Sequence, residues 1–318
     1  TYLDTRVTTE QRTLSRQKKL RSEDAKQRRE TKRHLLGLAR DLGERRLSER
    51  LQRCHSNIAF LTCGRHTHNI IPNYVCEFRL CPHCGRRQAK KKFNKYYERV
   101  VSFSKTQPVT PCHLVLTQER RKGETLDQAV SRIRESFKRL YRRQFFKEYF
   151  RGGLWSVEFT WDGEAYHAHI HVLVFRRKFC DVDQLRMEWE SVEGGKNLRL
   201  DRITDLRKGL REVLKYIAKP VGIETFTSQN LKDVLAMKGK RFFGTFGDFH
   251  TFSRKFDPED YPEIMDTIEK EKAPELEEGG SCPDCGETLF EIRQTEGEHI
   301  AFLRALEGQG QGKLPPDI

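Results

Sequence analysis

The chain has 318 residues, enough for one full-sized domain with a large core and one or two smaller attachments. With 60 lysines and arginines against 46 acidic residues, its net charge of +14 favours a polyanionic partner such as nucleic acid. No apolar run approaches ~20 residues and the N-terminus is charged, so we expect neither a membrane partner nor a secretory signal. We therefore expect a cytoplasmic location.

Residues 1–53 are dense in Arg, Lys, Gln and Glu and predict a basic helical arm. Such an arm is either a solvated charged face or a segment that contacts phosphates. Residues 54–100 follow as a cysteine-rich knuckle that leads into a basic helix. The basic run supplies the first candidate DNA-binding residues: Arg86, Arg87, Lys90, Lys91 and Lys92.

Nine cysteines in a reducing compartment indicate metal ligands or thiols before disulfides. The spacing Cys-x4-Cys-x2-Cys, with a further cysteine upstream, has the soft donors of a structural zinc site. The expected ligands are Cys63, Cys76, Cys81 and Cys84. Rival fourth ligands are Cys54, His55, His66 and His68. Cys112, on an apolar strand, is expected in the core.

The next elements alternate unevenly between strands and helices, over residues 101–256. In chain order they are a strand at Cys112–Gln118, a helix at Leu126–Phe150, strands at Leu154–Trp161 and Tyr166–Phe175, a helix near Val182–Val192, a strand at Asn197–Ile203 and a helix at Leu206–Lys219. This order, with one direct hairpin, predicts an α+β domain with an antiparallel β-sheet and flanking helices.

Residues 257–318 begin as an acidic linker and contain a second Cys-x2-Cys knuckle, Cys282 and Cys285. Two cysteines make only half a zinc site. They either borrow ligands such as His299 or Cys54, or pair with Cys81 and Cys84 in one ribbon.

Three histidines recur at every second residue within the predicted strand Tyr166–Phe175. Because side chains alternate along a strand, His167, His169 and His171 share one face and apolar residues occupy the other. One face can therefore pack on a core while the other binds a metal.

The strand before it carries Glu158, and Asp162-Gly163 between the two strands indicates a hairpin. A two-residue loop places Glu158 across from His167, and a four-residue loop places it across from His169. Two imidazoles and a carboxylate make an open site for a divalent ion that polarises a phosphate. The alternatives are histidines that only hydrogen-bond on a polar face and a zinc site made of histidines alone.

The last predicted helix has two stripes. Its apolar stripe packs on the sheet and comprises Leu206, Leu210, Val213, Leu214 and Ile217. Glu212, Tyr216 and Lys219 share a second stripe, roughly 140° away at 100° per residue. A tyrosine hydroxyl, whose ordinary pKa is about 10, needs a polarised electrophile or nearby cations such as Lys215 and Lys219 to attack. On its own this is an ordinary surface helix pattern.

Together these residues resemble the HUH endonuclease superfamily, and within it the single-tyrosine plasmid rolling-circle replication initiators, the Rep proteins. The resemblance covers roughly Cys63 to His250. It is carried by Leu114–Thr117, His167–Leu173 and Glu212–Lys219, with the cysteine segment Cys76–Cys84 upstream and Gly239–Arg241 and Phe246–Gly247 downstream. The resemblance does not account for the long basic arm or the Cys282/Cys285 knuckle.

The resemblance implies the HUH/Rep nuclease fold, with a small zinc module, in a bacterial or archaeal cell. His169 and His171 would carry Mg²⁺ or Mn²⁺, with Glu158 as third ligand and His167 as a further candidate. Tyr216 would be the nucleophile, and Glu212 would replace a second tyrosine by activating water at termination.

The implied activity is site-specific nicking of single-stranded DNA, which leaves a 5′-phosphotyrosine and a free 3′-OH primer. The implied partners are single-stranded DNA, origin duplex DNA, and a host helicase and polymerase. Two rivals stay open: an HUH transposase or relaxase with the same chemistry, and a non-catalytic zinc-ribbon protein that binds nucleic acid.

Overall fold

The computed structural model describes residues 9–64, 66–195, 197–218, 222–270, 278 and 280–295. The chain divides into two compact units, Thr1–His83 with Pro274–Ile318, and Cys84–Ala273. None of the helices in these described stretches is long and apolar enough to cross a membrane.

The helices are α1 (Thr9–Asp41), α2 (Arg45–Arg53), α3 (Pro82–Thr106), α4 (Leu126–Arg142), α5 (Gln144–Tyr149), α6 (Val182–Glu190), α7 (Leu206–Ala218), α8 (Ser228–Ala236), α9 (Gly247–Lys255) and α10 (Pro262–Lys270). The strands are β1 (Asn57–Thr62), β2 (Thr67–Pro72), β3 (Thr110–Thr117), β4 (Phe150–Trp161), β5 (Tyr166–Arg176), β6 (Leu198–Arg202), β7 (Phe243–Phe246) and β8 (Phe290–Thr295). Short 3₁₀ turns occur at Ile223–Thr225 and Pro258–Asp260.

The first unit contains a three-stranded antiparallel sheet in the order β2-β1-β8. All of β1, Asn57–Thr62, pairs with Phe290–Thr295. The basic arm is helical as predicted, but it is not wholly a solvated face. Leu35 and Leu38 of α1 are buried, as are Leu47 and Leu51 of α2, because the two helices pack together. The C-terminal segment, expected to be a separate linker with a knuckle, supplies a strand to this sheet.

The second unit is built on a five-stranded antiparallel sheet in the order β6-β3-β5-β4-β7. Every pairing in it is antiparallel, which confirms the predicted α+β fold with flanking helices. The apolar stripe of α7 packs where predicted. Its Leu210, Val213 and Leu214 are buried in one cluster with Leu154 and Leu173 of the sheet.

Helix α4 covers the opposite face of this sheet. Phe137 meets Phe246 of β7 with ring centroids 5.2 Å apart, and the Arg134 guanidinium lies 5.8 Å from the Trp155 ring. Both faces of the central strands are therefore buried over much of their length, and both Leu173 and Val174 have no exposed surface.

The helix predicted at Leu126–Phe150 is two helices in the structure, α4 and α5. The backbone of Arg143 between them is extended, with φ −65° and ψ 147°, which interrupts the helical hydrogen bonds. Phe150, expected at the end of that helix, instead begins β4.

Candidate metal and nucleic-acid site

The hairpin that joins β4 and β5 has a four-residue loop, because Trp161 pairs with Tyr166. The Asp162 side chain stabilises this loop, since its Oδ1 accepts hydrogen bonds from the backbone N–H groups of Glu164 and Ala165, each 3.0 Å long. Glu158 therefore pairs with His169, the second of the two predicted registers.

We call the surface formed by Glu158, His167, His169 and His171 the histidine face. The Glu158 carboxylate and the His171 ring meet within it, with Oε2 and Nε2 3.0 Å apart. Both side chains are buried, at 9% and 5% exposure. A buried carboxylate next to a ring nitrogen is a donor pair that suits a divalent cation.

Strand β3, the neighbour of β5, contributes further contacts on this same face of the sheet. The Nε2 atom of His113 lies 3.3 Å from the Nδ1 atom of His171, and the Thr117 hydroxyl lies 2.9 Å from the Nδ1 atom of His169. In each ring Nδ1 is thus engaged from β3. Contacts of this kind fix the tautomer and orientation of a metal-binding histidine and leave Nε2 for the ligand.

Burial lowers the pKa of two histidines of this face, His167 and His169, and of His113 on β3. Burial, together with the neighbouring His167 and His171, lowers the pKa of His169 to about 4. Burial also lowers the pKa of His113 to about 4, with His171 and Arg199 acting in the same direction. For His167, burial and Arg120 lower the pKa. Neutral imidazoles are the form that binds metal ions.

The histidine face is not a compact ligand cluster in this structure. The donor atoms of Glu158, His169 and His171 do not all lie within 4.8 Å of one another, unlike those of the cysteine groups found in the same described residues. The ring centroids of His169 and His171 are 6.4 Å apart, whereas those of His167 and His169 are 4.1 Å apart. The residues present nonetheless fit a divalent ion by the chemistry of their donors: two imidazoles and a carboxylate.

Helix α7 packs on the same side of the sheet as the histidine face. Leu173, two residues after His171 on β5, belongs to the α7 cluster, and the Ser156 hydroxyl donates a hydrogen bond of 2.7 Å to the Val213 carbonyl. Ser156 is the strand partner of His171. The carboxylate of Glu212 acts electrostatically on His113. It partly opposes the lowering of the His113 pKa by burial.

The remaining predicted catalytic residues are placed only in part. Glu212 forms an ion pair with Lys215 on α7. The backbone of Tyr216 lies in α7, one turn after Val213, but its side chain is outside the described residues, as is all of Lys219. The predicted meeting of the tyrosine with the histidines therefore stays a prediction.

The basic run occupies α3. Arg87, Lys90 and Lys91 are exposed, Arg86 is half-buried, and the Lys92 ammonium lies 4.4 Å from the Phe243 ring centroid. The exposed Arg87, Lys90 and Lys91 give this helix cations that can contact phosphates.

The cysteines form two groups of potential metal ligands, whereas the sequence predicted one complete zinc site and half of a second. In the first group the sulfur atoms of Cys54, Cys76, Cys81 and Cys84 lie within 4.8 Å of one another, and all four residues are buried. The sulfur atoms of Cys54 and Cys81 are 3.7 Å apart. The structure thus differs from the expected set, because Cys54 at the end of α2, one of the rival ligands, takes the place given to Cys63.

Cys63 belongs to the second group, with His66, Cys282 and Cys285. It is drawn there because β1, which ends one residue before Cys63, pairs with β8 close to the C-terminal knuckle. The predicted partners of Cys282 and Cys285 are not found beside them: Cys54, Cys81 and Cys84 all belong to the first group. The other predicted partner, His299, lies outside the described residues. None of the nine cysteines, all of them described, forms a disulfide. Cys112 is in the core as predicted, and Cys180 is buried as well.

Sequence reasoning missed the contacts made by His113 and Thr117. Both lie on the same face of β3, each two residues from Val115, the strand partner of His171. Their alternation is visible in the sequence. Nothing in the sequence, however, tells which strand lies beside β5.

A family profile for replication proteins, Rep_1, matches residues 68–179 of this chain. The matched segment includes the cysteines of the first group from Cys76 onward, the basic helix and the histidine face, and it stops before α7. Over this segment the chain is similar to the Rep family of replication proteins. This confirms the resemblance to plasmid rolling-circle replication initiators.

Three relatives of this chain share the name "Protein rep". That of Streptococcus pneumoniae serotype 2 is 27% identical over 242 residues, covering 70% of this chain and 76% of the relative. That of Bacillus amyloliquefaciens is 27% identical, covering 51% and 49%, and that of a Bacillus species is 29% identical, covering 42% and 46%. This chain therefore spans about half the length of the two Bacillus relatives. No solved structure matches it.

Proposed function

We propose that this chain initiates rolling-circle replication by nicking one strand of an origin and transferring the cut end to Tyr216. The observation that carries the proposal is the histidine face. There Glu158 Oε2 lies 3.0 Å from His171 Nε2, and side chains of the neighbouring strand β3 contact both His169 and His171. Helix α7, which bears the tyrosine, packs on the same side of the sheet.

His169, His171 and Glu158 would hold the catalytic metal, with His167 as a further ligand. A bound Mg²⁺ or Mn²⁺ supplies Lewis-acid polarisation of the scissile phosphate. The chain's own contribution is orientation. Thr117 and His113 hold the two rings, and burial keeps His169 neutral so that its Nε2 is available as a ligand.

The covalent step needs no outside energy source. The Tyr216 oxygen forms a bond to phosphorus as the bond from phosphorus to the 3′-oxygen breaks. The proton lost by the phenol balances the one taken up by the leaving 3′-OH. The products are a 5′-phosphotyrosyl protein and a free 3′-OH, and the phosphodiester energy kept in the tyrosine bond permits later rejoining.

Two charged residues of α7 would assist. By its likeness to the family, Glu212 accepts the proton of a water molecule that cuts the regenerated origin at termination. Its electrostatic effect on His113 supports a position facing the histidine side. Lys215, which pairs with Glu212, would contact DNA phosphate when that pair opens.

The basic residues of α3 would bind single-stranded and origin duplex DNA through phosphates, and Lys219 would add a cation near the tyrosine. In the cytoplasm of a bacterial or archaeal cell, a host helicase would then unwind the duplex and a host polymerase would extend the 3′-OH.

The first cysteine group would hold a structural zinc ion. Zinc-bound sulfurs about 2.3 Å from the metal lie roughly 3.8 Å apart at a tetrahedral angle. The Cys54 and Cys81 sulfurs are 3.7 Å apart, and the Cys76 backbone N–H donates to the Cys54 sulfur at 3.4 Å. Four buried thiols at this spacing are better explained as zinc ligands than as packing residues of a hydrophobic core.

The test is cleavage of labelled single-stranded oligonucleotides tiled across the replicon that carries the gene, with Mn²⁺ or with chelator. The full chain should nick one tile only when metal is present, and His169→Ala with His171→Ala should abolish the cut. His250→Ala is the matched control, because this exposed histidine lies on α9, where Thr245 contacts it. Metal-dependent nicking by the double variant, or no nicking by the wild type on any tile, contradicts the proposal. The second result would favour a zinc-ribbon protein that only binds nucleic acid.

A further inference from the structure

The second cysteine group has the geometry of a closed metal site. The Cys63 sulfur is 3.5 Å from both the Cys285 sulfur and the Nδ1 atom of His66. The same Nδ1 atom is 3.5 Å from the Cys282 sulfur. A tetrahedral zinc ion gives edges of roughly 3.6–3.8 Å between such donors, so three sulfurs and one nitrogen already stand near the corners of one tetrahedron.

We propose that Cys63, His66, Cys282 and Cys285 bind a second structural zinc ion, separate from that of the first group. The inference does not depend on the nicking chemistry. All four ligands belong to the first unit, and they come from two knuckles more than 200 residues apart in the chain. The metal would join the segment after β1 to the segment before β8.

Backbone geometry supports a ligand role for both knuckles. The His66 backbone N–H donates to the Cys63 sulfur at 3.3 Å, which favours the thiolate form. The Gly286 N–H donates to the Cys282 carbonyl at 2.7 Å, and Gly286 has a positive φ of 76° that closes the turn tightly.

A neighbouring donor set shares one ligand with this site. The Nε2 atom of His68 lies 3.4 Å from the Cys282 sulfur, and Asp284 completes a group of three with them. A structural zinc site is four-coordinate and sulfur-rich, which the Cys63 set satisfies and this set does not. His68 is therefore assigned as a positioning residue that donates an N–H to the Cys282 thiolate.

The site would stabilise the three-stranded sheet. Cys63 and Cys282 are buried with Leu61 and Leu289 in one small cluster, too few side chains for an independent core. Small units of this kind are commonly completed by a metal, whose binding free energy becomes folding free energy.

The experiment measures zinc in the full-length protein by plasma mass spectrometry and native mass spectrometry, after purification in reductant without chelator. The wild type should hold two zinc ions. Cys285→Ser, which changes an exposed ligand, should hold one, as should His66→Gln. Cys180→Ala, a cysteine outside both groups, and His68→Gln should each keep two.

One zinc ion in the wild type, two in Cys285→Ser, or loss from His68→Gln and not from His66→Gln would overturn the assignment. So would a Cys63–Cys285 disulfide in the reduced preparation. If Cys285→Ser does not fold, His66→Cys decides. It should keep two metals and gain sulfur-to-metal charge-transfer absorption after cobalt substitution, and unchanged absorption contradicts His66 as a ligand.

Amide hydrogen exchange shows which strands lose stability when the second metal is removed. In Cys285→Ser, amide exchange should rise in β1 and β8 and stay unchanged in β4 and β5. Unchanged exchange in β8 would show that the metal does not hold this strand.

Discussion

At the scale of single residues, the candidate site depends on how two histidine rings are oriented. Both rings are held through Nδ1 by side chains of β3, Thr117 for His169 and His113 for His171. Such contacts direct Nε2 of each ring away from β3, and in His171 that nitrogen faces the Glu158 carboxylate. Metal affinity should therefore respond to residues that do not touch the metal.

Thr117→Val tests this at nearly constant side-chain volume. The variant removes the hydroxyl 2.9 Å from His169 Nδ1, so we expect the Mn²⁺ affinity to fall by about 10–100-fold with the fold intact. Mn²⁺ titration followed by calorimetry measures the change, with Thr117→Ser as the control that keeps the hydroxyl. Equal affinity in all three proteins would show that the contact does not orient a ligand.

At the scale of elements, the pairing of β4 with its neighbours β5 and β7 requires close backbone approach. A Cβ added to Gly153 would lie 1.9 Å from the Leu173 carbonyl oxygen. Gly152 and Gly247 approach one another where the β4–β5 register shifts. The glycines let β4 lie against both β5 and β7.

Gly153→Ala should therefore lower the free energy of unfolding by about 2–4 kcal/mol, because the backbone atoms it meets cannot move aside. Gly37→Ala is the contrasting variant. Its Cβ meets nothing within 4 Å in α1, and it should be neutral or stabilising by up to ~1 kcal/mol. Urea unfolding measures both, and equal stability of the two variants contradicts the packing described.

Hydrophobic periodicity predicted most elements of the second unit, because buried stripes on α7 and alternation on β5 are local properties of the chain. The break between α4 and α5 was missed, since no glycine or proline marks Arg143. The loop length was open because Asp162-Gly163 suits a short turn, whereas the Asp162 side chain caps a longer one.

Pairing between distant segments was beyond the sequence. The knuckle spacings identified Cys81 with Cys84 and Cys282 with Cys285, but not their partners. Those partners follow from β1 pairing with β8, which places Cys63 beside the C-terminal knuckle and leaves Cys54 for the first group. Every possible grouping of these cysteines offers a metal the same thiol ligands, so only the fold shows which cysteines lie together.

At the scale of the whole molecule, the charge of +14 implies that DNA affinity falls steeply with salt. Replacing the exposed Arg87, Lys90 and Lys91 of α3 by Gln should weaken binding to single-stranded DNA. The slope of log affinity against log salt should decrease by about 2, at ~0.7 per lost phosphate contact.

Fluorescence anisotropy across a salt series measures this slope. The matched control replaces three exposed lysines elsewhere, Lys122, Lys147 and Lys238, by Gln. An equal decrease in both triple variants would show that net charge alone, and not α3, sets the affinity.

The central claim is that a phenol on α7 attacks DNA held at the histidine face. The most direct measurement is peptide mapping by mass spectrometry of the covalent protein–DNA adduct formed with Mn²⁺. We predict a 5′-phosphotyrosyl linkage at Tyr216, no adduct in Tyr216→Phe, and an undiminished adduct in Tyr166→Phe, whose hydroxyl is buried against Asp233. An adduct on any other residue, or one that persists in Tyr216→Phe, would contradict the account.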